Sequence, residues 1–496
     1  MAEELRESGL AQATFFSALV DGALAVATLA TTPYLVRCLG PEPYGILGMV
    51  GVIAGQLSML QLGIGAATMR RVAECRGRQD VSQQADTLRA AWALGLASAA
   101  LVATAFVVVF PWAWDEAFKA TEGVLHEARS SLFAAAAVVA AQPLLVVLHA
   151  VLSGEERFHS ATSLRLLHGL ARMGAAVAVA GAGGRPAAVL AAQAATDWLA
   201  VAVGRMWAWR GRAPAAPSSS LFAAIKGLLF LGIPFAVAGL FAGLLADAEK
   251  LALGMARSIE EFAYYSVPFN AVFRLSAVAG MLAVFLMPRL AAAAAGGDWD
   301  GAARLVRRVA RMTIAGMTVI VAPLIALAPE LLHWWLGAAF AESARLSTRI
   351  LLLGLLVNTM AYAAHAVVRA RSHPSSLALL YGLELPLHVA VVSLLVRSAG
   401  IAGAALAWTL RVCLDAAAQQ VLAWRALRRP ILEWRLLAPF PLLLALLALC
   451  ERFGPWEGLA LRAGCGLALG VLTLGLVLSR QDWELVRGAL PLARRS

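Results

Sequence analysis

Apolar residues dominate the chain and polar ones punctuate it. A membrane-crossing helix takes about 20 largely apolar residues. Fourteen stretches meet that length, at roughly 11–36, 44–69, 89–112, 130–152, 163–182, 186–208, 222–247, 263–288, 307–329, 346–369, 375–396, 400–424, 436–452 and 459–479. The thirteenth is the shortest. Between the first two stands Gly40-Pro41-Glu42-Pro43, a turn in which neither Gly nor Pro continues a helix. Tyr44 opens the second run and Arg70-Arg71 closes it, so the pair reads as a helical hairpin crossing an apolar layer twice. The fifth and sixth stretches are Ala-rich, which suits close helix packing in lipid. Pro234, Pro268, Pro323 and Pro386 fall inside stretches, where they kink helices or free backbone groups. The pattern predicts an all-α polytopic membrane protein with about 14 transmembrane helices.

The hairpin recurs. Lys250 precedes Leu-Ala-Leu-Gly as Arg37 precedes Cys-Leu-Gly, Tyr264 opens the next apolar run as Tyr44 does, and Arg289 closes it as Arg70 does. Aromatic and basic residues are 26 positions apart in the first copy and 25 in the second. The loop of the second copy is longer and adds Arg257, Glu260 and Glu261. Six stretches separate the copies, so both run the same way, and such repeats are related by an axis along the membrane normal. The expected organisation is two pseudo-symmetric six-helix bundles over residues 1–208 and 221–426. A linker at 209–220, with Pro214, Pro217 and three serines, joins them, and 427–496 adds two helices and an Arg-ended tail.

Composition narrows the class. The chain is 61% hydrophobic and 14% charged, where a soluble protein has about 25% charged residues. Its formal charge of +11 does not indicate nucleic acid, because the basic residues sit between apolar runs rather than on one face. With the N-terminus in the cytoplasm, cytoplasmic segments hold 27 Lys and Arg and outer loops 11, while Arg172, Arg274 and Arg411 lie inside helices. That asymmetry places both termini in the cytoplasm. The five cysteines form no Cys-x-x-Cys pair and have no His cluster at metal spacing, so neither a metal site nor a disulfide is expected. The first apolar run is too long for a cleavable signal. No Walker, His-Glu-x-x-His or Gly-x-Ser-x-Gly motif is present, and Gly181-Ala-Gly183-Gly184 follows no strand. The expectation is no enzyme and no nucleotide cofactor.

Ionisable groups inside the bilayer are costly and are therefore the functional candidates. Asp21 lies near the middle of the first stretch and could exchange a proton or hold Na⁺. Arg274 in the eighth stretch and Arg172 in the fifth could grip a pyrophosphate through the planar guanidinium fork; His168 lies one turn before Arg172. Each has a structural alternative in a buried ion pair. Gln12, Gln56 and Gln61 could bind sugar hydroxyls or bond neighbouring helices. Arg411 with Asp415, and Glu384 with His388, are four apart and expected to pair along one face. His365 and Asn358 add polar groups to the tenth stretch. Arg37, Asp247, Glu249 and Lys250, at outer helix ends, are candidates for a gate.

The segment LVRCLGPEPYGILGMVGVIAGQLSMLQLGIGAATMRRVAE resembles the opening of bacterial polysaccharide exporters of the Wzx type. These are lipid-linked oligosaccharide flippases of the multidrug/oligosaccharidyl-lipid/polysaccharide (MOP) superfamily. LLADAEKLALG, then AYYSVPFNAVFRL and MPRLA, resembles the family's seventh and eighth helices, and Gly400-Ile-Ala-Gly403-Ala-Ala-Leu-Ala its glycine-rich entry to helix twelve. Gln61 stands where the family often has an acidic residue. The resemblance implies a MATE-like pair of bundles in which helices 1, 2, 7 and 8 line a shared cavity. It also implies alternating access and a polyprenyl-pyrophosphate-linked oligosaccharide as substrate for cell-surface polysaccharide such as O-antigen. Polysaccharide polymerase or glycosyltransferases would be partners, and coupling would use H⁺ or Na⁺. The alternative is a multidrug/cation antiporter of the related extrusion family, whose amphipathic cations call for carboxylates in the cavity. A membrane glycosyltransferase or ligase would need large outer loops, and every loop here is short.

Overall fold

A computed structural model describes residues 2–57, 63–112, 122–210, 219–277, 279–280, 290, 298–371, 374–452 and 458–483. The described residues build two compact units, Met1–Ala263 and Tyr264–Ser496. Regular structure among them is helical throughout, and eight helices are long and apolar enough to cross a membrane.

The first unit holds α1 (Ala2–Leu39), α2 (Pro41–Leu57), α3 (Ile64–Gly77), α4 (Val81–Trp112), α5 (Glu122–Gly154), α6 (Phe158–Gly181), α7 (Pro186–Trp209) and α8 (Leu221–Ala256). It also holds the start of α9 (Ile259–Arg274). The break at Gly40 comes where its sequence placed it: Gly40 takes φ 87, and Pro41 starts the next helix. The second apolar stretch is not one helix, since α3 begins only at Ile64, after Gly63 at φ 65. A Cβ at Gly63 would lie 2.1 Å from the Gly232 carbonyl oxygen, so this position admits α8 close to the backbone. In lipid, association of helices relies on packing and on small residues that let backbones approach. The buried alanines Ala135, Ala141, Ala200 and Ala208 do this where α5 runs along α4 and α7. Phe106 and Phe110 stack at 4.5 Å inside the same core. Although the repeat assigns α8 to the second half of the chain, α8 packs on α2, α3 and α4 of the first unit.

The second unit holds the rest of α9, then α10 (Trp299–Ala326), α11 (Ala328–Leu336), α12 (Ala338–Arg371), α13 (Pro374–Leu427), α14 (Trp434–Leu437), α15 (Pro439–Cys450) and α16 (Leu459–Val477). The eighth apolar stretch is interrupted at Leu275, so Arg274 ends α9 rather than lying mid-helix. The 54-residue α13 is two helices joined at a kink, where Gly400 adopts φ 54 and ψ −128. Three residues on, a Cβ at Gly403 would stand 1.9 Å from the Leu395 carbonyl oxygen. Gly403→Ala is therefore expected to destabilise the unit by about 1–3 kcal/mol, as overpacking does, and a melting curve indistinguishable from wild type would contradict the tight kink.

Arginine contacts fasten α10 at its C-terminus and along its N-terminal half. Near its C-terminus Arg349 donates to the Ile325 carbonyl at 3.1 Å and pairs with Glu451, while Arg462 reaches the Ala326 carbonyl at 3.4 Å and pairs with Glu330. These cations take carbonyls that the helix end leaves without intrahelical donors. In the N-terminal half Arg308 and Arg311, three apart on one face, both bind Asp482 beyond α16.

Candidate functional site

Three basic residues of the first unit share one face of α6. Arg165, His168 and Arg172 are spaced by three and four residues, which puts them on one helix face. Opposite them α7 presents Gln193 and Asp197, again four apart. Asp197 is fully buried. One of its oxygens meets His168 Nε2 at 2.7 Å and the other accepts from the Arg172 guanidinium at 2.7 Å. Arg172 donates as well to Gln193 Oε1 at 3.3 Å. A buried carboxylate is tolerated only when paired and hydrogen-bonded, and here both oxygens are engaged.

The guanidinium keeps 29% of its side-chain surface open, and that surface borders a cavity of about 340 Å³. Gly51, Gly55 and Ala54 of α2 form one wall, and Gln142 of α5, with Gln193 and Arg172, supplies polar groups. Arg172 is the one charged residue among the described lining residues. The small α2 residues leave room, the glutamines offer amides, and the arginine offers a planar pair of donors. Such a lining offers hydrogen-bond donors to a group rich in acceptors.

The other candidates of this unit find partners across helices. Arg165 donates to Ser17 at 2.8 Å and pairs with Asp21 at 3.1 Å, clasping α1 to α6. Gln56 donates to Asp247 at 3.0 Å, and Lys250 donates to the same carboxylate at 2.9 Å. Gln56, read from sequence as a cavity residue, thus joins the gate candidates Asp247 and Lys250. Glu249 is fully buried beside them, and Arg37 is exposed in the last turn of α1. Gln12 lies on α1 where side chains are outside the description, and Gln61 lies outside the described residues.

The family model described as polysaccharide biosynthesis protein matches residues 10–294, more than half of the chain. The chain belongs to that family. A putative O-antigen transporter of Shigella flexneri is 23% identical over 192 residues, which are 38% of this chain and 45% of that relative's length. Among solved structures, the lipid II flippase MurJ in an inward closed conformation matches with TM-score 0.67 at 10% identity, covering 96% of this chain and 99% of that one. An inward-facing multidrug resistance MATE family transporter of the MOP superfamily matches with TM-score 0.65 at 16% identity, covering 83% and 98%. At these identities the likeness establishes the fold alone, an all-α polytopic architecture shared with these two proteins.

The polar residues of the second unit pair differently from the sequence expectation. Asp415 does not bond Arg411; both its oxygens accept from Gln419 at 2.9 Å, and Gln419 Oε1 meets His365 Nδ1 at 2.9 Å. The neutral amide loses less hydration than a guanidinium on burial, so it is the cheaper neighbour for this site. The Glu384–His388 pair is absent too, and the buried Glu384 carboxylate has no hydrogen-bond partner among the described residues. Arg274 is half-buried at the end of α9 in this unit, and Asp21 belongs to the other. Asp197 and Gln193 were not singled out from sequence. The signal was there: Asp197 is the only acidic residue in the sixth apolar stretch.

Proposed function

We propose that the protein is a flippase that carries a polyprenyl-pyrophosphate-linked oligosaccharide across the bacterial inner membrane by alternating access. The observation that carries this reading is the cavity of the first unit, whose charged lining residue is Arg172. The sugar and pyrophosphate have to cross about 30 Å of hydrocarbon, and a polar, cationic cavity shields them while the lipid tail stays in the bilayer. Arg172 serves the phosphate oxygens as a two-pronged donor, and Gln142 and Gln193 serve sugar hydroxyls. An antiporter of amphipathic cations would instead turn a carboxylate toward the cavity. Asp197 has both oxygens occupied by His168 and Arg172, which favours the flippase. Membership in a polysaccharide biosynthesis family supports the same substrate class.

In this reading both termini and the 209–220 linker face the cytoplasm, in line with the 27-to-11 distribution of basic residues. Asp21 is the ion-coupling group for H⁺ or Na⁺, and its attachment to Arg165 gives it a partner to exchange against. Asp247, Glu249 and Lys250 with Arg37 form the gate, glycosyltransferases supply the glycan and a polymerase consumes it. Arg274 is a second phosphate contact, on the second unit.

The test is export in a host lacking its own flippase. Arg172→Ala is expected to lower surface glycan by about tenfold or more, the loss of one charge-assisted contact, with Arg172→Lys recovering part of it. Wild-type export by Arg172→Ala at equal protein level would sink the assignment.

A further inference from the structure

A second cavity, of about 300 Å³, lies in the first unit between the start of α6 and the end of α7. It is lined by Arg157, His159, Ser160, Ser163, Trp207 and Arg210, and no carboxylate is among them. Arg157 precedes α6, and no side chain caps this helix start. The first N–H groups of a helix have no intrahelical acceptor, and the helix dipole leaves that end positive. Arg157 reaches Glu155 only at 3.5 Å, and that carboxylate also accepts from Gln84 at 2.9 Å. Arg210 is exposed, its backbone N–H closing the last turn of α7 on Met206. His159 lies against the ring of Phe16, with centroids 5.3 Å apart.

We propose that this cavity binds a phosphate group. Two arginines provide forked donors, two serines provide hydroxyls, and the uncapped helix start provides backbone N–H groups and a positive end. Trp207 contributes an aromatic wall of the kind found at the membrane–water boundary, where one edge is apolar and the other wet. The volume lies at the lower limit for small-molecule sites, about 300 Å³, which suits a mono- or diphosphate and not a whole oligosaccharide. The position adds a use. From Ser163 the α6 helix continues to Arg165 and then to Arg172, about 10 Å further along at 1.5 Å per residue. The cavity therefore stands on the same helix as Arg172 of the larger cavity, toward its start and on the other side of its axis. Its use as the first contact of a substrate pyrophosphate rests on the flippase reading; the binding of phosphate does not.

The experiment is calorimetric titration of the purified full-length protein, in phosphatidylcholine nanodiscs, with inorganic pyrophosphate and with farnesyl pyrophosphate. Saturable binding is expected. Arg210→Glu should weaken it by about tenfold or more, the effect of turning one charge-assisted contact into a repulsion. Ser163→Asp should do the same from the other wall. Arg210 is exposed, so its replacement keeps the packing and separates lost binding from lost folding. Tighter binding of farnesyl pyrophosphate than of pyrophosphate identifies a lipid-linked diphosphate as the source. Competition by phosphatidylglycerol in the nanodisc identifies a bulk lipid head group, and equal affinity for the two titrants without such competition identifies a free phosphate. Absence of saturable binding overturns the proposal. So does binding that Arg172→Ala abolishes and Arg210→Glu spares, which would locate phosphate in the larger cavity and leave the flippase reading standing. Wild-type glycan export by Arg172→Ala, with Arg210→Glu still weakening pyrophosphate binding, would remove that reading and keep this site.

Discussion

Replacing Asp197 by Ala is expected to cost the first unit about 3–5 kcal/mol, the range for breaking a buried pair by removing one partner. The carboxylate is fully buried and is the acceptor for both His168 and Arg172, each at 2.7 Å. Without it the guanidinium keeps only Gln193 at 3.3 Å, and α6 loses its polar attachment to α7 at this level. The loss should appear as a fall in melting temperature of at least about 5 °C and as loss of glycan export. Asp197→Asn keeps shape and one acceptor oxygen, so it should fall between wild type and Asp197→Ala in both measurements. Arg172→Ala offers the contrast: Asp197 still has His168, so export should drop further than stability does. An Asp197→Ala protein that melts with wild type would show that the carboxylate does not hold the helices.

Asp482→Ala should cost the second unit about 3 kcal/mol on the same principle. Asp482 is buried and accepts from Arg308 at 3.1 Å, from Arg311 at 2.9 Å and from the Ser479 hydroxyl at 2.7 Å and backbone N–H at 2.9 Å. Burial by itself raises the pKa of this carboxyl, but the hydrogen bonds from Arg311 and Ser479 outweigh it and hold the group below the ordinary 3.8. A depressed folded pKa gives stability that is complete above the unfolded value and is lost as pH falls through the folded one. The wild type should thus lose this contribution only below the ordinary carboxylate range, as a proton reaches Asp482. Asp482→Asn has no such titration, so its stability deficit should be full at pH 6 and shrink as pH drops below about 4. A deficit independent of pH over that interval would assign the effect to packing instead.

Hydropathy and turn chemistry are properties of a short window of chain, and that is why so much of the architecture is legible in the residues themselves. The apolar stretches, the break at Gly40-Pro41, the division between the stretches 375–396 and 400–424 where Gly400 kinks α13, and Arg172 inside an apolar helix all follow from neighbours within a few positions. The residues 10–294 that the family model matches include both copies of the hairpin, which were also visible as a repeated pattern. Partner choice was not visible, because it depends on which helix faces meet. Spacing along one helix offered Asp415 both Arg411 and Gln419, four residues to either side, and the bond goes to Gln419. The chain gave Asp21 no cation within a turn, and α6 brought Arg165 from far along the sequence. Gln56 could bind a sugar or a neighbouring helix by its sequence, and α8 places Asp247 against it. Asp197 carries the clearest case: nothing near it in sequence marks it as more than a lone acid, and only the apposition of α6 and α7 makes it the anchor of Arg172. Charges in a low-dielectric interior must be neutralised by whatever stands nearest in space, and in a helical membrane protein that neighbour usually comes from another helix.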